Sequence, residues 1–180
     1  MSAVLERAAL PPALAADLRT DHAGETGAVC IYRGVLALSR DPALRDFARR
    51  HLATEQRHLA VINGWLPAGQ RSRLLPLWRL SGWLTGALPT LFGPRAVYAT
   101  IAAVETFVDV HYQQQIDRLA GDAAWGRLRA ELEACRQDEA HHRDEAAAAH
   151  ADRAPGLLLR LWCTVVGWGS AQAVSVCRHV

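Results

Sequence analysis

The sequence predicts an all-α fold: a four-helix bundle with a long apolar crossover helix and a hydrophobic C-terminal helix. Three observations carry this expectation. Val, Ile and Thr never form the alternating runs that a strand needs. Ala, Leu and Arg, all good helix formers, dominate the chain. Breakers divide the rest into helical stretches, four of them about 25 residues long.

The elements follow in order. Pro11-Pro12 opens the first helix, which runs to about residue 39. Asp41-Pro42 pairs an N-cap with a proline at the first helical position and starts the second, which runs to about Trp65 before Pro67 and Gly69. Gly93-Pro94 opens the third, ending at Gly121. Asp122 caps the fourth, which runs to about residue 152, short of Pro155-Gly156. Residues 66–93 form the crossover between the second and third helices, and residues 156–180 carry the hydrophobic C-terminal helix.

Composition narrows the function. The 180 residues are 51% hydrophobic and 21% charged, which suits one core-bearing domain over residues 1–180 and argues against a disordered chain. A net charge of +2 argues against a nucleic-acid partner. All 20 basic residues are Arg, a usage read as codon bias of the source genome. Cys30, Cys135, Cys163 and Cys177 form no C-x-x-C pair. That excludes the usual zinc ribbon, thioredoxin-like site and disulfide scaffold, and fits reduced thiols in a cytoplasmic protein. Glu6 and Arg7 stand where a secretory signal would have its apolar core, so no such signal is expected.

Two segments differ from the rest. Residues 74–92 hold Arg79 as their only charge, and residues 161–177 hold none. Both are borderline for spanning a bilayer, which takes about 20 apolar residues. Pro76, Gly82, Gly86 and Pro89 interrupt the first. Trp65, Trp78, Trp83, Trp162 and Trp168 lie in or beside the two segments, and Trp favours the membrane–water interface. Contact with a membrane surface is the expected role. Burial against the bundle or a second subunit is the alternative, and true spanning comes last.

Two E-x-x-H motifs carry the chemistry: Glu55/His58 in the second helix and Glu139/His142 in the fourth. Residues three apart share a helix face, so each pair can offer a carboxylate and an imidazole to one metal ion. Eight Glu and eight His give about 0.4 such pairs by chance, so the motif alone is weak. The other two long helices each carry one Glu among apolar residues. Glu25 shares its face with Leu18, Ala28, Val29 and Tyr32, and Glu105 with Ile101, Val108, Asp109 and Tyr112. A buried carboxylate is costly unless paired or metal-bound, and an ion pair with Arg would serve either one taken singly. The order Glu, Glu-x-x-His, Glu, Glu-x-x-His, one element per helix, matches the ferritin-like bundle that holds two metal ions. Four carboxylates and two imidazoles suit iron or manganese better than zinc. Asp138/His141 has the same spacing as Glu139/His142, so the residues alone leave both pairs open.

The stretches LRTDHAGETGA, TEQRHL, VETFVDVHYQQQI and DEAHH make the chain resemble the demethoxyubiquinone hydroxylase family, from about Leu18 to Val180. The resemblance implies two iron ions held by Glu25, Glu55, His58, Glu105, Glu139 and His142. It implies hydroxylation of a polyprenyl demethoxybenzoquinol with O2, in ubiquinone biosynthesis. Electrons would come ultimately from NADH, not tightly bound, or through the quinone ring, since no G-x-G-x-x-G is present. The family has a His at the place of His111, which lies about 240° around the helix from Glu105 and so belongs behind the ligands. Asp138 is expected to orient His58, and Asp21 and His22 to do similar work. Tyr112 contacts substrate or fills the core. His51, His141 and His150 are expected in solvent, as are Arg49, Arg50 and Arg57. Gly24 and Gly27 are expected to allow close helix approach. The protein would sit peripherally on the cytoplasmic face of a bacterial inner membrane, with other ubiquinone-biosynthesis proteins and further copies of itself as partners. The other reading is a rubrerythrin-like peroxidase or an iron store on the same bundle.

Overall fold

A computed structural model describes residues 10–152 and 154–180. The stretch with Glu6 and Arg7, read above for a signal, lies outside them. Six α-helices are present among the described residues: α1 (Pro12–Leu38), α2 (Pro42–Trp65), α3 (Leu75–Thr90), α4 (Pro94–Arg118), α5 (Gly126–His150) and α6 (Leu157–Cys177). The starts follow from local chemistry. Pro12 enters α1 with its pre-set φ. Asp41 caps α2 by accepting the Leu44 N–H at 2.8 Å. Gly93, at φ 95°, turns the chain from α3 into α4 through a conformation that side chains resist. One boundary differs from expectation. Asp122 caps a short 3₁₀ turn, Ala123–Trp125, by accepting the Ala124 N–H, and α5 begins only at Gly126.

Helices α1, α2, α4 and α5 form the bundle, while α3 lies along α1 and α6 lies along α4 and α1. The apolar core comes in two parts. One gathers Tyr32, Val35, Leu44, Phe47, Ile101 and Ala146, and the other Leu18, Ile62, Tyr112, Leu128, Leu132 and Cys135. On each bundle helix the acidic residue of interest falls between these two parts in sequence. The bundle is therefore apolar at both ends and polar at its waist.

The crossover helix packs backbone against backbone. A Cβ on Gly82 would collide with the Gly27 carbonyl, one on Gly86 with that of Ile31, and one on Gly34 with that of Trp83. The glycines that close approach requires are thus Gly34, Gly82 and Gly86. Around Gly24 there is open space, and a Cβ on Gly27 would meet only the Trp78 carbonyl at 3.9 Å. Pro76 sits in the first turn of α3 and Pro89 in its last, so neither interrupts the helix middle.

Both apolar helices are two-faced. The inner side of α3 is buried on α1, and its outer side exposes Leu77, Leu80, Trp83, Leu84 and Leu88. Helix α6 is tied inward where Trp162 Nε1 donates to Thr100 Oγ1 at 2.9 Å, and exposes Leu158 at 82% and Trp168 at 66%. It is long and apolar enough to cross a membrane. The tryptophans do not act as one set: Trp65 donates to Glu131 and Trp162 to Thr100, whereas Trp83 and Trp168 are exposed.

Candidate metal centre

The bundle brings Glu25 of α1, Glu55 and His58 of α2, Glu105 of α4, and Glu139 and His142 of α5 to one buried place. Their donor atoms fall into two groups of four. Glu25, Glu55, His58 and Glu139 offer atoms that all lie within 4.8 Å of one another, and so do Glu55, Glu105, Glu139 and His142. Glu55 and Glu139 belong to both groups, so each can offer one oxygen to either side. His58 Nδ1 lies 2.9 Å from Glu139 Oε1, 3.6 Å from Glu55 Oε2 and 3.7 Å from Glu25 Oε2. His142 Nδ1 lies 3.1 Å from Glu55 Oε1 and from Glu139 Oε2, yet is not aligned to hydrogen-bond with either.

That misalignment tests whether a metal fits. Glu25 Oε2, both Glu55 oxygens, Glu139 Oε2 and His142 Nδ1 are buried without hydrogen-bond partners. Orphaned polar atoms cost free energy, and several aimed at common points fit a cation. The donors are carboxylate oxygen and imidazole nitrogen, a set suited to iron or manganese. Thiolate is not among them: burial, foremost, pushes the nearby Cys135 thiol up to about 12.

With four carboxylates crowded in the dry waist, the charges distort one another. Burial, reinforced by Glu139 and Glu55, raises the pKa of Glu25 and of Glu105 well above the carboxylate range, with His58 opposing at Glu25. Burial acts the same way on Glu55, but His142 and His58 outweigh it and hold Glu55 near 2. Burial works against charged imidazole, yet the adjoining carboxylates of Glu139 and Glu55 raise His58 strongly and His142 to about 9. A divalent ion pair in this waist would take over the balancing of charge that the imidazolium groups perform here.

A second layer holds these groups. His58 Nε2 meets Asp138 Oδ2 at 3.0 Å, the expected partner for the far side of that imidazole. The Tyr112 hydroxyl donates to Glu25 and the Tyr32 hydroxyl to Glu105 at 3.4 Å, so Tyr112 has a polar role besides filling space. Burial holds both phenols well above their ordinary range, which keeps them donors. His111 bonds none of the six candidate ligands. It meets Asp21 at 3.1 Å and Thr20 at 3.2 Å, and Gln115 also donates to Asp21. Asp21 thus serves the α1–α4 contact and not a candidate ligand.

Three histidine readings change. His51 is buried, not solvated: its Nε2 meets Glu145 at 2.9 Å and its ring stands edge-on to His142 with centroids 4.0 Å apart. His150 is half-buried, its Nδ1 2.7 Å from the Ala146 carbonyl. His22 is buried beside Arg71 and Arg79, away from the six. His141 is indeed exposed, which leaves Asp138/His141 outside the cluster. Sequence reasoning missed a role at the site for Tyr32, His51 and Glu145. The signal was available, since Tyr32 lies seven residues after Glu25 and His51 seven before His58, both on the ligand face.

Beside the cluster opens an apolar cavity of about 350 Å³. Glu25, Glu105 and Glu139 line its inner end, and Trp78, Trp162 and Val174 line it between α3 and α6.

The profile of the family described as "Ubiquinone biosynthesis protein COQ7" matches residues 12–177. The chain belongs to that family. The resemblance read from DHAGE and DEAHH is thereby borne out. Among COQ7 relatives, a 3-demethoxyubiquinol 3-hydroxylase of Rhodospirillum rubrum is 42% identical over 142 residues, 77% of this chain and 66% of the relative. A protein of Dictyostelium discoideum named NADPH-dependent 3-demethoxyubiquinone 3-hydroxylase, mitochondrial, is 34% identical over 168 residues, 91% of this chain and 76% of that one. The rat protein of the same name is 31% identical over 146 residues, 79% and 67%. The match to the Rhodospirillum protein thus spans just under two thirds of that relative's length.

Proposed function

We propose that this chain hydroxylates a polyprenyl demethoxybenzoquinol with O2, as a di-iron monooxygenase of ubiquinone biosynthesis. One observation carries the reading: two groups of four donors that share Glu55 and Glu139. Glu25 and His58 would complete one iron's ligands, and Glu105 and His142 the other's. Two ferrous ions held there supply the reduction of O2 and the oxidation of the ring. The chain's own residues do the rest. Asp138 holds His58 by Nε2, which leaves Nδ1 turned to the metals. Tyr112 and Tyr32 hold Glu25 and Glu105 from the cavity side and the α2 side. The apolar cavity excludes water and admits a flat ring between α3 and α6.

The exposed sides of α3 and α6 support a peripheral seat on the cytoplasmic face of the membrane, where a polyprenyl tail could stay in lipid while its ring enters. Each helix is anchored to the bundle along one side, which favours lying on the surface over spanning it. Reductant, NADH or NADPH, would be met without a tight dinucleotide site. An apolar cavity of this kind has no use in a peroxidase or an iron store, whose substrates are small and water-soluble. Quinone profiling of a deletion strain tests the reading. Loss of ubiquinone with build-up of the demethoxy precursor is expected. Normal ubiquinone with a peroxide or iron-storage phenotype would overturn it.

A further inference from the structure

A second cleft, of about 380 Å³, opens on the other flank of α3, between α1, α2 and the segment joining α2 to α3. Its chemistry is opposite to that of the apolar cavity. Arg33, Arg71 and Arg79 line it, with His22, Gln56 and Asn63 among them. No acidic side chain among the described residues lines it, and none forms an ion pair with these three arginines. Arg71 Nε is buried with no acceptor. The positive charge converges: burial first, then the charges of Arg71 and Arg79, bring the His22 imidazole down to about 4. Most other arginines among the described residues sit on carboxylates or carbonyls, as Arg50 does on Glu145, Arg136 on Asp109 and Arg45 on the Leu36 carbonyl. Three guanidinium groups around one concave space, unpaired by acid, repel one another until an anion enters. Guanidinium forks match the tetrahedral oxygens of phosphate, and the two amide side chains add neutral donors.

We propose that this cleft is a binding site for a phosphate ester. The structure favours the headgroup of a phospholipid as its source. Arg79 adjoins Leu80 on α3, and Leu80, Trp83 and Leu84 are exposed on the outer face. A phosphate held by Arg79 and Arg71 would therefore sit at the rim of that apolar face, with its acyl chains free to run beneath the helix. The site would orient the protein on an anionic leaflet, apart from any role in the metal chemistry.

The test uses the full metal-loaded chain and two probes. One is flotation with vesicles of phosphatidylglycerol and phosphatidylcholine, compared with phosphatidylcholine alone. The other is thermal stabilisation by inorganic pyrophosphate. Arg71→Gln/Arg79→Gln is compared with Arg49→Gln/Arg129→Gln, which removes the same charge from exposed positions elsewhere. Each charge-assisted bond to phosphate is worth about tenfold or more in affinity. The cleft variant should therefore lose the preference for phosphatidylglycerol while the control keeps it. Stabilisation by pyrophosphate that the cleft variant alone loses would also support the site, and would move its source to a soluble phosphate ester. If the two double variants behave alike with both probes, the site does not exist. Should the double variant fail to fold, Arg33→Gln, whose side chain is exposed, decides in the same way.

Discussion

His58 stands between two carboxylates, with Nδ1 2.9 Å from Glu139 and Nε2 3.0 Å from Asp138. Glu139 is buried among the candidate ligands, while the Asp138 side chain is half in water. Adjacent residues of α5 point in different directions, yet the ring of His58 is broad enough to touch both. The outer carboxylate thereby sets the orientation of the inner nitrogen.

Replacing Asp138 by Asn keeps the shape and removes the charge behind His58. Affinity for ferrous ion should fall about 10- to 100-fold, as is typical for loss of such an outer partner. Anaerobic titration of the metal-free protein measures it. Unchanged affinity would mean that packing alone holds the ring.

Glu139→Ala removes a donor common to both groups of four and should abolish binding of both ions, whereas Glu105→Ala should leave one site occupied. Glu133→Gln, on the same helix but paired with Arg136 at the surface, should bind the full complement. Metal analysis of the purified variants separates these cases. Equal iron content in all three would refute the assignment.

The metal-free protein should lose stability as pH rises through the alkaline range. His142 is held at about 9, above the ordinary imidazole value of 6.5, so its folded form keeps a proton that the unfolded form releases. The stability it contributes is complete below 6.5 and gone once pH passes about 9; His58 is shifted in the same direction. Loading with ferrous or manganous ion should flatten this dependence, because metal-bound imidazole carries no such proton. Melting temperatures across this range, with and without metal, give the comparison.

The glycines of the α1–α3 contact should be sharply unequal. Gly86→Ala drives a methyl into the Ile31 carbonyl and should cost about 1–3 kcal/mol or more, as overpacking does. Gly24→Ala meets open space and should gain up to about 1 kcal/mol from helix propensity. Urea unfolding measures both. Because Gly24 lines the apolar cavity beside Glu25, the second variant should fold better yet turn over a bulky quinol more slowly.

Leu80→Asn/Trp83→Ser alters only exposed positions of α3 and should leave folding and metal content unchanged. Liposome flotation should weaken, and turnover of a long-tailed quinol should fall while a short-tailed soluble analogue still reacts. Equal loss with both substrates would mean that α3 is not the lipid side of the entrance.

Sequence by itself determined the helices and offered the candidate ligands, with Asp138/His141 still open beside Glu139/His142. Breakers such as Asp41-Pro42 and Gly93-Pro94 act through their immediate neighbours, and a Glu or E-x-x-H on an apolar face is visible at helical spacing. The all-α class and the family followed from the same local signals. What tertiary structure alone decided is everything that depends on which faces meet. Whether Tyr32 or Tyr112 filled space or held a carboxylate turned on the opposite helix, more than 70 residues away. His51 looked like a surface residue until α5 covered it. The glycines that matter could not be picked out before α3 was laid on α1. Gly24 and Gly27 border the conspicuous motif, but backbone collision is a relation between two helices: Gly24 faces open space, Gly27 gives only its backbone to the contact, and an added Cβ would collide at Gly34, Gly82 and Gly86. The unpaired arginine cleft is of the same kind: Arg33, Arg71 and Arg79 are scattered in the chain, and only folding gathers their charges around one space.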